Sequence, residues 1–387
     1  MKRFLFFATL MSSALIGCVS DYEAEMSGED SKAITFEVGK YKASSRADGD
    51  DVTSQSGEKT PASLTPDVRF GTFAYKAPGA HQAHTPYMAN VQIGYISSYW
   101  AAVSDTYYWP ETGHLDFISY APYKAGTSAG IPVIGHINTS TNNDFNKMEF
   151  KNYEIVQGED LMYSEKAHYQ THNYKTYGFS GVPTLFYHAL AKLNFTVAAS
   201  DVQTTEGDKT IDWQVKVKSI KLGDINSKGS VELRTDSPDP ENGVYKPQTT
   251  NWTVYNLENL NVWKPVDDSK INKEWTVEGG QTLHKTKVAF DGAKDYYVLP
   301  QQLFSKTQYI TIVYTIANKL STAASYNAPD EFTKTLYFKD YSTAGKAEAW
   351  EMGKNITYNI IIDPRGDIIH FDPAVVDWVN EDRTLDF

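Results

Sequence analysis

Cysteine is almost absent from this sequence: Cys18 is the one thiol in 387 residues. A chain with a single cysteine forms no internal disulfide, so its stability must come from apolar burial and strand pairing. Positive charge is the second shortage. Lys and Arg total 36 against 48 Asp and Glu, a formal net charge of −12, and such a surface repels phosphate backbones, which removes nucleic acid as a partner. Long apolar runs are also missing. No stretch beyond the amino-terminal segment approaches the ~20 apolar residues that cross a bilayer as a helix. Helical periodicity is equally scarce, with no later window that joins three-to-four residue apolar spacing to a capping residue over three turns. Residues 188–193 fit either class and are read as strand.

What is present is enough apolar material for proper cores. The chain is 41% hydrophobic and 13% aromatic, which fits one or two folded domains and does not fit a disordered chain. The first segment reads as a targeting signal. Lys2 and Arg3 precede an apolar run over residues 4–10, and Leu15-Ile16-Gly17 stands directly before Cys18. Small residues ahead of a cysteine, with an apolar segment before them, are what a lipoprotein signal peptidase requires. Residues 1–17 are therefore expected to be a lipoprotein signal peptide and Cys18 a lipid anchor; the alternative is an ordinary secretory signal that contains a cysteine.

Next comes Ile34-Thr35-Phe36-Glu37-Val38, a short alternating run with Ile34, Phe36 and Val38 on one face. Residues 48–66 are poor in apolar side chains and read as a flexible connector. Strand signals then recur at residues 68–75, 91–95, 115–120, 185–197, 211–217, 309–316 and 356–362, most of them alternating at period two, as half-buried antiparallel strands do. Gly, Pro and Asn turns separate them, as in Pro110-Glu111-Thr112-Gly113. The pattern is all-β and points to β-sandwiches. At on the order of 100 to 150 residues per sandwich the length implies two. The most natural seam is 198–209, giving domains 47–200 and 201–387.

Candidates for chemistry are weak. Gly126-Thr127-Ser128-Ala129-Gly130 has the spacing of a nucleophile elbow, but Ile131-Pro132 follows where a helix must begin, so a loop is the better reading. His168 and His172 would share a helix face for a metal, yet their neighbours suggest strand or loop; His81 and His84 lie in a Pro/Gly-rich loop. Two aromatic groups, Tyr99-Trp100 with Tyr107-Tyr108-Trp109, and Trp252, Trp263 and Trp275, could stack on sugars, although cores and rims use the same residues. The sequons at Asn138, Asn194, Asn251 and Asn355 are what chance gives in an Asn- and Thr-rich chain. No catalytic or metal-binding set, and no cofactor, is expected.

Taken in order, several short motifs resemble the fimbrillin family, the lipoprotein pilin precursors of type V pili in Gram-negative bacteria. They are the lipobox ending at Cys18, Ile34-Thr35-Phe36 with Ser45-Arg46-Ala47 after it, Tyr108-Trp109-Pro110 followed by Leu115-Asp116-Phe117, and Asp160-Leu161-Met162-Tyr163. Phe186-Tyr187-His188-Ala189-Leu190-Ala191-Lys192-Leu193, Val298-Leu299-Pro300-Gln301, residues 350–362 and the closing 371–378 complete the series. The resemblance implies two transthyretin-like Greek-key β-sandwich domains in tandem and a structural, non-enzymatic subunit. It further implies an outer-membrane lipoprotein precursor whose residues 18–46 form a lipidated propeptide, cut by an arginine-specific protease between Arg46 and Ala47. The propeptide strand then leaves, and a carboxy-terminal strand of another subunit fills the groove, building a fimbria for surface adhesion.

Both ends of the sequence suit that scheme. Arg46 is the one arginine between Arg3 and Arg69 and sits among small and acidic residues, where a protease could reach it. Unaided, these residues also fit an arginine in a linker that nothing cuts. The donor candidate is 367–387, where Ala374, Val376 and Trp378 share one face and Ile369 and Phe371 the other. Pro373 is expected to split this tail into two short strands; the plainer alternative is that it completes its own subunit. The expected partners are other pilin subunits, the protease, the outer membrane through the lipid before processing, and a host glycan or protein as adhesion ligand. The competing function is an anchored surface glycan-binding lipoprotein.

Overall fold

The computed structural model describes residues 32–39, 62, 64–77, 85–126, 130–135, 147–173, 180–234, 263–266, 269–303, 307–341, 349–365 and 368–378. In the first half the strands are β1 (Phe36–Val38), β2 (Phe70–Ala77), β3 (Thr85–Ile96), β4 (Tyr99–Ala102), β5 (His114–Ala121) and β6 (Val133–Gly135). They continue as β7 (Lys147–Glu154), β8 (Met162–Ser164), β9 (Ala167–Gln170), β10 (Val182–Thr184), β11 (Phe186–His188) and β12 (Ala191–Ala199). After these come β13 (Gln203–Glu206), β14 (Lys209–Asn226), β15 (Lys228–Arg234), β16 (Lys264–Pro265), β17 (Lys270–Thr282), β18 (Val288–Ala289) and β19 (Tyr296–Val298). The last are β20 (Gln301–Gln302), β21 (Tyr309–Leu320), β22 (Asp330–Tyr337), the single helical turn α1 (Phe338–Tyr341), β23 (Ala349–Trp350), β24 (Lys354–Asp363) and β25 (Ile368–Asp377). The all-β expectation holds, and each expected run overlaps a strand, the run 185–197 overlapping two.

Nine strands form the first sheet, in the order β10-β1-β4-β3-β2-β5-β8-β11, with β9 beside β5. Its two ends, β10 and β11, are separated in the chain by Leu185 alone, so the sheet must curl until its edges meet. Inside the curl lie Phe36, Phe70, Trp100, Trp109, Phe117, Val182 and Phe186, all buried. The outer face carries Ile118, Tyr120, Tyr163 and Tyr187 against Met148 and Phe150 of β7 and Val231 and Leu233 of β15. Those two strands belong to a four-stranded sheet ordered β16-β15-β7-β6. Coverage on both faces explains why residues 115–121 of β5 are buried without alternation.

The second core lies between two five-stranded sheets, β18-β12-β24-β25 with β19, and β13-β14-β21-β22 with β17. Here alternation governs: Leu193, Phe195 and Val197 of β12, Ile310, Ile312 and Tyr314 of β21, and Ile356, Tyr358, Ile360 and Ile362 of β24 point inward. The 18-residue β14 needs one further device, because its inward residues change parity from Val215 and Val217 to Ile220 and Leu222. A register shift between Val217 and Ser219 against both neighbours supplies it, and a second shift between Leu222 and Ile225 against β17 brings Ile225 inward. The first adds one residue to β14 against β21 and the second adds one against β17, and each flips the faces that follow.

Three expectations differ from what is observed. The run 185–197 is two strands, because residues 189 and 190 give their backbone groups to partners outside any ladder: Ala189 N–H donates to Leu161 O at 2.8 Å, and Leu190 O accepts from Gly353 N at 2.9 Å. Pairing crosses the expected boundary at residue 200 in both directions. β12 pairs with β18, β19 and β24, whereas β15 pairs with β7. Finally, Pro373 does not split the tail. β25 runs unbroken along β24 with Pro373 opposite Tyr358, which an edge strand permits when the proline nitrogen faces away from its neighbour.

Candidate assembly interface

The short strand β1 is an interior member of the curled sheet, parallel to β10 on one side and antiparallel to β4 on the other. Backbone bonds extend this seat past the ends of the strand. Ile34 N–H donates to Tyr107 O at 2.7 Å, Trp109 N–H to Lys32 O at 2.8 Å, and Val182 N–H to Thr35 O at 2.8 Å. Alternation does the rest. Ile34 and Phe36 are each 3% exposed and Val38 is half-buried against the same core, so the predicted face of Ile34, Phe36 and Val38 is the face that packs. The Phe36 ring meets Phe70 at 5.6 Å and Phe117 at 5.7 Å, both edge-on, the geometry aromatic quadrupoles favour.

Two features of the seat were not foreseen. A Cβ on Gly181 would stand 2.7 Å from the carbonyl carbon of Phe36, so the approach of β1 needs a glycine there. On the facing side Glu37 accepts from the Ser180 N–H and hydroxyl, both at 2.8 Å. The second unforeseen feature is Ala62, in the stretch read as a connector. It is 1% exposed and donates its N–H to Phe186 O at 2.5 Å. A lone alanine in a polar stretch gives no periodicity to read, and only the nearby Leu64, packed on the same core, hints at docking.

At the other end of the chain, β25 pairs with β24 from Ile368 opposite Asp363 to Asp377 opposite Lys354. Ile369 and Phe371 face the second core, where Phe371 stacks on Tyr358 at 4.8 Å and 5°. Ala374 and Val376 face outward, with Val376 58% exposed. Trp378 is 3% exposed. Its N–H donates to Gly353 O at 2.8 Å, and its ring lies flat on His188 at 3.8 Å and 4° and beside Tyr297 at 5.3 Å. The Lys192 ammonium sits 4.8 Å from the Trp378 ring centre. Burial pushes the Tyr297 phenol up to about 12, helped by the carboxylates of Asp160 and Asp295. Cys18, Arg46, Ala47, residue 367 and residues 379–387 lie outside the described residues.

The competing chemistry finds little geometry. His168 lies on β9 and its Nδ1 is 2.8 Å from Asp116, while His172 Nδ1 is 3.0 Å from the Asn173 side-chain oxygen. Among the described residues no group of three or more His, Cys, Asp or Glu is placed to hold a metal. Ser128, His81, His84, Trp252, Asn138 and Asn251 lie outside the described residues. Trp100, Trp109, Trp263 and Trp275 are buried in cores rather than offered to a sugar, although Tyr99 and Tyr108 are exposed. Asn194 and Asn355 bond each other at 2.8 Å across paired strands.

A model of the fimbrillin-like family matches residues 45–378. The chain belongs to the fimbrillin-like family. Family membership makes it a structural rather than an enzymatic protein, of pilin-like type and with a cell-surface location. This fimbrillin-like chain also resembles a solved fimbrial protein from Bacteroides vulgatus, with a TM-score of 0.51 at 17% identity over 89% of this chain and 99% of that one, a likeness that speaks for the fold alone. A putative cell adhesion protein from Bacteroides uniformis aligns at a TM-score of 0.42 and 15% identity, over 81% of this chain and 93% of that one. No curated protein matches the sequence. No described helix is long and apolar enough to cross a membrane.

Proposed function

We propose that this protein is a fimbrial subunit that polymerises by strand exchange after proteolysis at Arg46. The observation that carries the reading is the seat of β1: a strand lying upstream of Arg46, and upstream of the span the family model matches, fills the middle of a sheet and the centre of its core. Cutting after Arg46 frees residues 18–46. With them goes the strand between β10 and β4, leaving unpaired backbone groups on both and an open apolar slot lined by Phe70, Phe117 and Val182. A strand from another subunit repairs both losses, as in β-augmentation. The donor is residues 367–387, led by β25 with Ile369, Phe371, Ala374, Val376 and Trp378. Before cutting, Cys18 holds the precursor to the outer membrane by its lipid, and the finished fibre serves adhesion to a host glycan or protein. The two tandem transthyretin-like sandwiches are kept in this reading with one amendment: β12 is counted with the second, and β15 and β16 with the first, because that is where they pair.

The test is to express Arg46→Ala subunits and image the cell surface. Loss of fibres with normal precursor levels is expected; fibres of normal length from that variant would refute the processing step. Deleting residues 367–387 should likewise leave a surface protein that cannot extend a fibre.

A further inference from the structure

β25 is held unevenly along its length. Its first half is fixed by Phe371 in the second core, but Val375 and Val376 are 44% and 58% exposed, so the stretch before the end buries little. The end itself is then clasped again. Lys354 Nζ meets Asp377 Oδ1 at 2.5 Å, and Trp378 enters a pocket made by His188, Lys192, Tyr297 and the turn at Gly353. Those residues come from separate parts of the chain, and the cluster that takes in the ring also contains Met148, Trp263 and Leu299.

Resting on the assembly reading above and specifying its control, we propose that Trp378 and its pocket form a latch that keeps β25 in its own subunit. Undocking of this one ring is the step that frees the tail for transfer. A strand on an edge peels from one of its own ends, where opening is least costly. Here that end is where the ring is set, so the ring must leave before residues 374–377 can separate from β24.

The floor of the pocket suits a latch that opens. His188 Nδ1 bonds Asp160 Oδ2 at 2.7 Å, whereas His188 Nε2 and Asp160 Oδ1 are buried without a hydrogen-bond partner among the described residues. The docked indole, stacked flat on the imidazole, satisfies neither atom. Withdrawing it exposes an aromatic face to water, which is unfavourable, and admits water to two unmet polar atoms, which is favourable. The second effect offsets part of the first, so the ring is retained while the subunit stands alone and released when a better seat for the strand is offered.

The test changes the pocket and leaves the tail sequence intact. Amide hydrogen exchange of residues 374–377 is followed in the full, uncut chain for wild type, His188→Ala and Lys192→Ala, with β21 as the control for folding. Exchange at least about tenfold faster in the tail, with β21 unchanged, is expected. Unchanged tail exchange in both variants overturns the latch, and if His188→Ala does not fold then Lys192→Ala decides. After cutting at Arg46, light scattering should rise several-fold faster in the variants than in wild type, and equal rates would overturn undocking as the controlling step. Wild-type chain that never polymerises would refute the assembly reading instead, with the exchange measurement still deciding whether the latch exists.

Discussion

Phe36 packs where a single substitution tests the proposed removal of β1. It is buried on the edges of Phe70 and Phe117, and removing a buried phenyl ring costs about 3–5 kcal/mol. Phe36→Ala should therefore lower the unfolding free energy of the uncut precursor in urea by that amount and, if cleavage removes β1 as proposed, leave the stability of fibres unchanged; an equal effect on both would place β1 in the mature subunit. Gly181 is the complementary test from the receiving side. Its Cβ would meet backbone rather than a side-chain tip, so Gly181→Val should expose the amides of residues 34–38 to exchange without unfolding β21. At this scale the sequence was informative where periodicity operates. The inward set Ile34, Phe36 and Val38 follows from alternation, but Gly181 and Ala62 owe their roles to what approaches them, which no local pattern encodes. The histidine that carries Trp378 was likewise visible only as one residue of a family motif.

Single elements were legible as strands and less so in their continuity. β12, β21 and β24 read directly because one face of each meets a core. β14 required register shifts to keep Val217 and Ile220 both inward, and a bulge leaves no mark in composition. The turn at residues 189 and 190 and the unbroken path through Pro373 were misread for one reason: both depend on which neighbour the backbone faces. Strand-borne tyrosines set a pH limit for these elements. Burial pushes the phenols of Tyr120 on β5 and Tyr297 on β19 up to about 12. A raised folded pKa gives a contribution that is complete below the ordinary value near 10 and is lost as pH rises toward the folded value. The thermal unfolding temperature should thus fall between about pH 10 and 12, and Tyr120→Phe with Tyr297→Phe should flatten that decline; an unchanged slope would mean the two phenols titrate normally.

At the scale of the whole molecule the described apolar clusters do not divide at residue 200, since β12 pairs with the later β24 and β15 with the earlier β7. Chain order suggested a simple cut near residue 200, because interruptions between strands are visible in sequence while long-range partners are not. With no disulfide available from a single cysteine, what holds β1 and β25 among the described residues is pairing and burial. On the proposed reading, a protein whose first described strand fills the centre of a core is stable as a precursor and reactive once cut. The measurement that bears most directly on this is the amino-terminal residue of subunits recovered from surface fibres, read by mass spectrometry of the intact chain. Ala47 is expected, with residues 18–46 and their lipid gone; fibres built of subunits that still begin at lipidated Cys18 would contradict proteolytic strand exchange.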